Sequence, residues 1–132
     1  MTRSRAWTAV DPFDLPEWIG THEVTWTAGC ALAQALVPGV LESHADGSRL
    51  VCDLLAADTA YPRPVVDEET RHEVHQAWQL GQVHLLEGDG RLALAVPTVA
   101  LTADGVLEAV GRLAQAVGAP RDRFGVHLRA GR

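Results

Sequence analysis

The stretch "TRHEVHQAW" sets His72 and His75 three residues apart, with Glu73 between them and Glu68 and Glu69 about a turn earlier. Imidazoles and carboxylates at helical spacing are the materials of a metal site or of acid–base catalysis. Glu69-x-x-His72 matches the Glu-x-x-His half-motif of carboxylate-bridged di-iron bundles, but those need four inward-facing helices, and this chain offers two. The run "HEVH" is one residue short of the zincin H-E-x-x-H, so its histidines do not line up as that motif requires. On a helical projection Thr70, Val74, Ala77, Trp78 and Gly81 fall on one side, and Glu68, His72, His75, Gln76 and Gln79 on the other. The imidazoles are therefore expected in water and the indole in the core. That is a solvated helix face, with no metal ligand and no cofactor site assigned.

Nucleophilic chemistry fares no better. Cys52 with Asp53 and His44 or His84, or Ser43 with His44, would be the candidates. Neighbours on a strand point to opposite faces, so neither Cys52–Asp53 nor Ser43–His44 is a catalytic pair. No G-x-S-x-G elbow is present. Gly88-Asp89-Gly90 lies between two strand-like runs, which makes it a turn and not a phosphate loop. Cys30 and Cys52 form no C-x-x-C pair and read as small buried hydrophobes. No catalytic residue is assigned, and the chain reads as a non-enzyme.

Asp53 is harder to place. It lies between Val51 and Leu55 in "LVCDLLAA", a strand apolar on both sides. A buried carboxylate is costly unless paired. Asp53 must face water at a sheet edge or meet an arginine, and Arg63 and Arg91 are both eligible. Should a small-ligand groove exist between sheet and helix, Asp53 and His84 would be its polar residues, with Trp26 beside them.

The elements that position these groups follow from pattern. Residues 1–20 form an arm in which "DPFDLPEWIG" is broken by two prolines, while Phe13, Leu15, Trp18 and Ile19 need somewhere dry to lie. The arm packs across its own domain or docks on a second subunit. Residues 21–132 make a single domain. "EVTWTA" alternates as a half-buried strand, and 30–36 is open between strand and helical turn. Residues 37–44 and 49–58 form a hairpin about Asp46-Gly47, and 83–96 a second about Gly88-Asp89-Gly90. Residues 60–66 are a proline-stiffened connector. Asp67 caps one helix and Thr102 another, which Gly118 ends. The inner stripe of that last helix is Val106, Leu107, Val110, Leu113, Ala114 and Val117, with Asp104, Glu108, Arg112 and Gln115 facing water. The tail from Arg121 is a short helical or extended cap. The order β, β-hairpin, α, β-hairpin, α predicts an α+β domain: an antiparallel sheet of about five strands with its two main helices packed on one face.

The totals exclude several functions. A chain of 132 residues, 47% apolar, suffices for one core. All eleven basic residues are arginine, lysine and asparagine are absent, and the net charge is −6. The arginines are scattered, so no basic surface for nucleic acid is expected. "LALAVPTVAL" is too short to span a bilayer and is interrupted by Pro97, and "MTRSRAWTAVDPF" lacks the apolar region of a secretory signal. A cytoplasmic protein, with neither membrane nor nucleic acid as partner, is expected.

From about Glu23 to Ala119 the element order resembles the type III secretion chaperone-like fold. "CDLLAAD", "HQAW" and "GRLAQAVG" are similar to a family of short proteins from G+C-rich bacteria. The first resemblance implies a homodimer built through the middle helix and adjacent strands, with partner segments wrapping the sheet. It places Val74 and Trp78 near a dimer seam. Trp18 on the arm and Leu80, which projects away from the Val74–Trp78 stripe, join them as interaction candidates. The resulting expectation is a homodimeric, chaperone-like interaction module that takes a protein or peptide segment. A small-molecule binder or enzyme is the alternative.

Overall fold

A computed structural model describes residues 7–58 and 65–128. The first six residues of the arm, the end of the tail, and most of the proline-rich connector, with Arg63, lie outside the described residues. Among the described residues the strands are β1 (Thr8–Val10), β2 (Val24–Ala28), β3 (Leu36–Val37), β4 (Gly39–Ser43), β5 (Arg49–Ala56), β6 (His84–Gly88), β7 (Arg91–Val96) and β8 (Phe124–His127). A single helical turn, α1 (Trp18–Thr21), and two longer helices, α2 (Glu68–Gln79) and α3 (Ala103–Ala116), complete the list, with short 3-10 turns at Pro12–Asp14 and Arg121–Arg123.

Local chemistry accounts for the element ends. Asp67 accepts a 2.7 Å hydrogen bond from the Thr70 amide at the start of α2, and Thr102 accepts one of 3.1 Å from Gly105 at the start of α3. Gly118, at φ +83°, closes α3 with a left-handed residue. Asp89 and Gly90 both have positive φ, 56° and 76°, and join β6 to β7 as the two-residue turn whose twist suits a hairpin.

The sheet runs β1-β6-β7-β5-β4-β2-β8, with β3 also beside β5. β3 and β4 are one bent strand. Leu36 faces Leu55 and Val40 faces Val51 in a single antiparallel register, broken where Pro38 has no amide to give. The α+β class stands, but the sheet has eight strands and not five. It is also mixed and not antiparallel: β5 pairs parallel with β7, and β2 with β8. The residues beyond Pro120 make the second of those contacts, and β1 of the arm pairs with β6 of the same chain.

A second correction concerns the helices. Leu54, Leu85, Leu92, Leu94 and Val96 join the cluster beneath α3, whereas Leu55, Leu86, Ala93 and Ala95 join a separate cluster with Val74 of α2. Consecutive strand residues alternate between the clusters, so the two main helices lie on opposite faces of the sheet. Strands apolar on both sides require this. Along α3 the inward residues are Val106, Ala109, Val110, Leu113 and Ala114, whereas Leu107 is exposed. Residues 29–35 are neither strand nor helix.

Trp26 fixes the bend at β4. Its indole is buried and donates a 2.7 Å hydrogen bond to the Cys52 carbonyl. A Cβ at Gly39 would sit 2.3 Å from that ring. Gly39→Ala is therefore expected to destabilise the fold by about 3 kcal/mol, the upper end of overpacking costs. Urea unfolding measures it, and a loss below about 0.5 kcal/mol would mean that the indole steps aside.

Candidate functional site

The histidines of the opening motif stand outward. His72 and His75 are exposed and Val74 is buried. His75 Nε2 lies 2.6 Å from Asp58 Oδ2, in the turn that follows β5, tying α2 to that turn. Among the described residues no three His, Cys, Asp or Glu side chains come together as a metal site. His84, mostly covered, lies on the α2 face of the sheet. Its Nε2 makes no hydrogen bond and sits 3.7 Å from Glu73 Oε1, within ion-pair reach only.

Ser43 has a histidine neighbour, though not the adjacent one. Its Oγ lies 2.7 Å from His22 Nδ1 and accepts the amides of Ala45 and Asp46. Asp46 approaches the same Nδ1, at 3.9 Å. A triad needs serine and carboxylate on opposite ring nitrogens. This hydroxyl instead organises the turn between β4 and β5. Cys52 is fully buried, and burial, with the Asp53 carboxylate adding to it, pushes its thiol up to about 12. Such a thiol is not a nucleophile at neutral pH.

Asp53 takes Arg91 as its partner. Its Oδ2 accepts from Nε at 2.9 Å, its Oδ1 from Nη2 at 2.8 Å, and Oδ1 also accepts the Gly39 amide at 3.1 Å. The carboxylate is 1% exposed while Arg91 is 41% exposed, so the fork reaches in from the surface. Hydrogen bonding to Asp53, reinforced by its charge, raises the pKa of Arg91. Both carboxylate oxygens are occupied, which leaves the pair structural.

A further polar group forms where α2 ends. The Arg112 guanidinium lies 4.1 Å over the Trp78 ring and donates to the Trp78 carbonyl at 2.6 Å and to Glu108 at 2.7 Å. Arg112 was expected in water and is instead largely covered. The stack links residues 34 apart in sequence, which helical periodicity does not reveal. Arg121 donates to the same Glu108 oxygen at 2.9 Å. Hydrogen bonds from Arg121 and then Arg112 hold the Glu108 carboxyl below the usual range.

Beside this cluster lies a hollow of about 370 Å³ walled by Pro12, Gly81, Val83, Arg112, Gln115 and Ala116. A smaller one of about 190 Å³ shares Pro12 and is bordered by Phe13, Leu15, Gly20 and Val117. Two large apolar side chains flank this surface: Phe13, 86% exposed, and Leu80, 68% exposed, next to Gly81. Of the residues singled out in the sequence, Leu80 and Trp78 belong to this region. Val74 is buried under α2, and Trp18 is half-buried on the α3-side core near His22. Phe13 was noted in the sequence only as a residue needing cover.

Two outcomes are expected. Arg91→Met strands a buried carboxylate and costs about 3–5 kcal/mol, whereas Asp53→Asn leaves an arginine free to turn to water and costs about 1–2 kcal/mol. Chemical denaturation gives the order, and its reversal would refute the pairing. In the native state a disulfide reagent should modify the partly exposed Cys30 and leave Cys52 unmodified until the chain unfolds. Comparison of the chain with family models, with curated proteins and with solved structures returns no match.

Proposed function

We propose that this chain is a non-enzymatic protein-interaction module of chaperone-like type, acting in the cytoplasm as a homodimer. The observation that carries the reading is the apolar surface between the arm and the end of α2, where Phe13 and Leu80 stand out beside two adjoining hollows. Exposed side chains of this size grouped around concave surface are characteristic of contact sites. The groups that could do chemistry support the same reading by their engagement: Asp53 is held by Arg91, Ser43 by the turn amides, and Cys52 is sealed in the core. No helix among the described residues is long and apolar enough to cross a membrane, which suits a partner met in solution.

The resemblance to the type III secretion chaperone-like fold favours a dimer with Val74 and Trp78 near its seam; Trp78 is partly covered, under Arg112, and Val74 is buried. That side chain faces its own sheet, so a contact through this region uses Leu80 and the arm. Size-exclusion chromatography with in-line light scattering should give twice the 14.2 kDa chain mass. A mass of one chain at all concentrations would overturn the homodimer.

A further inference from the structure

The interaction surface carries both a knob and a hole. Phe13 projects from the 3-10 turn at Pro12–Asp14 with most of its ring in water. The turn itself is well anchored. Asp11 accepts the Phe13 amide at 2.9 Å, the Leu15 amide donates to the Pro12 carbonyl, and Ile19, just beyond, is fully buried. Phe13 is thus held out by a fixed turn, at a cost in exposed apolar area that a second surface would relieve. Immediately beside it, across Pro12, lies the larger hollow, whose volume exceeds that of a phenyl ring.

Charge is divided in the same way. Residues 11–17 carry Asp11, Asp14 and Glu17 and no basic residue. Neither Asp14 nor Glu17 makes an ion pair among the described residues. On the hole side, Glu108 serves two guanidiniums, Arg112 and Arg121, so those three residues carry one net positive charge. Arg112 is also part of the wall of the hollow. Asp14 borders a separate hollow with Arg49 without pairing with it, and neither Asp14 nor Glu17 reaches the Arg112–Arg121 cluster of its own chain. A copy related by a two-fold axis passing near Pro12 satisfies both at once, since each copy then gives a knob and receives one.

We propose that the occupant of this groove is a second copy of the chain, with Phe13 of each protomer seated in the Arg112-walled hollow of the other and the acidic turn against the Arg112–Arg121 cluster. The inference rests on the homodimer reading and adds its interface. Four proteins test it by light scattering over a dilution series: wild type, Phe13→Asp, Asp14→Arg, and Val99→Asp, which alters an exposed side chain in the loop before α3. Thermal melting of each monitors folding. Phe13→Asp should weaken the dimer at least about thirtyfold, as expected for a central aromatic anchor. Asp14→Arg should weaken it about three- to tenfold, more at low salt than at high. Val99→Asp should leave it unchanged. A wild-type dimer that Phe13→Asp does not weaken overturns the interface and leaves the homodimer standing. Equal weakening by Val99→Asp also overturns it. A monomeric wild type overturns both readings and leaves the groove to a partner of different sequence.

Discussion

A carboxylate lies in the middle of the strand through which both halves of the sheet are joined, and the architecture has to neutralise it there. β5 carries β4 and β3 along one edge and β7 along the other. Asp53, at its centre, binds Arg91 of β7 through both oxygens and accepts the Gly39 amide at the start of β4. Gly39 is in turn cramped by Trp26 of β2, whose indole donates to the carbonyl of Cys52, the residue before Asp53. Four strands are thereby tied at one point. Pro38 breaks the ladder at this place, and the side chain of Asp53 takes up an amide next to the break. Buried polar groups that are fully satisfied specify register more than they add stability. A slip of β4 by one residue would lose the Gly39 bond and turn Trp26's neighbour Leu41 outward.

Much of this was legible in the chain. Caps at Asp67 and Thr102, the turn at Asp89-Gly90 and the alternation from Val24 to Ala28 are local rules read over a few residues. Asp53 was legible as a problem, though its solution was not: choosing Arg91 over Arg63 requires knowing that β7 lies against β5. The parallel pairings of β5 with β7 and β2 with β8 join segments far apart in sequence, and periodicity carries no such information. β1 and β8 contain three and four residues, too few for alternation to register. The placement of helices on both faces did have a signal. "LVCDLLAA" and "RLALAV" are apolar at successive positions, which means cover on both sides of the strand.

The two sides of α3 show why projection alone falls short. A wheel gives the direction of each side chain, not what stands there. Leu107 stays exposed although its neighbour Val106 is buried. Arg112 points to where α2 ends and becomes covered, with the Trp78 ring beneath it and the Trp78 carbonyl at its Nη1. That carbonyl belongs to the last turn of α2 and also accepts the Gly81 amide at 3.1 Å. The cation adds a second donor to that carbonyl, and clamps two elements that pack on opposite faces of the sheet.

The histidines extend this point to function. His22 contacts Ser43, His44 contacts Thr25 and His75 contacts Asp58, each at a hydrogen-bonding distance between elements or across a turn. Side chains that resemble catalytic equipment are thus joints between β2 and the β4–β5 hairpin, or between α2 and the turn that follows β5. A reactive centre instead needs donors and acceptors left open toward one vacant point. His84 Nε2, without a hydrogen bond, is left open among the described residues, and faces Glu73 at 3.7 Å. The two most exposed large apolar side chains among the described residues are Phe13 and Leu80, which stand beside the hollows that meet at Pro12.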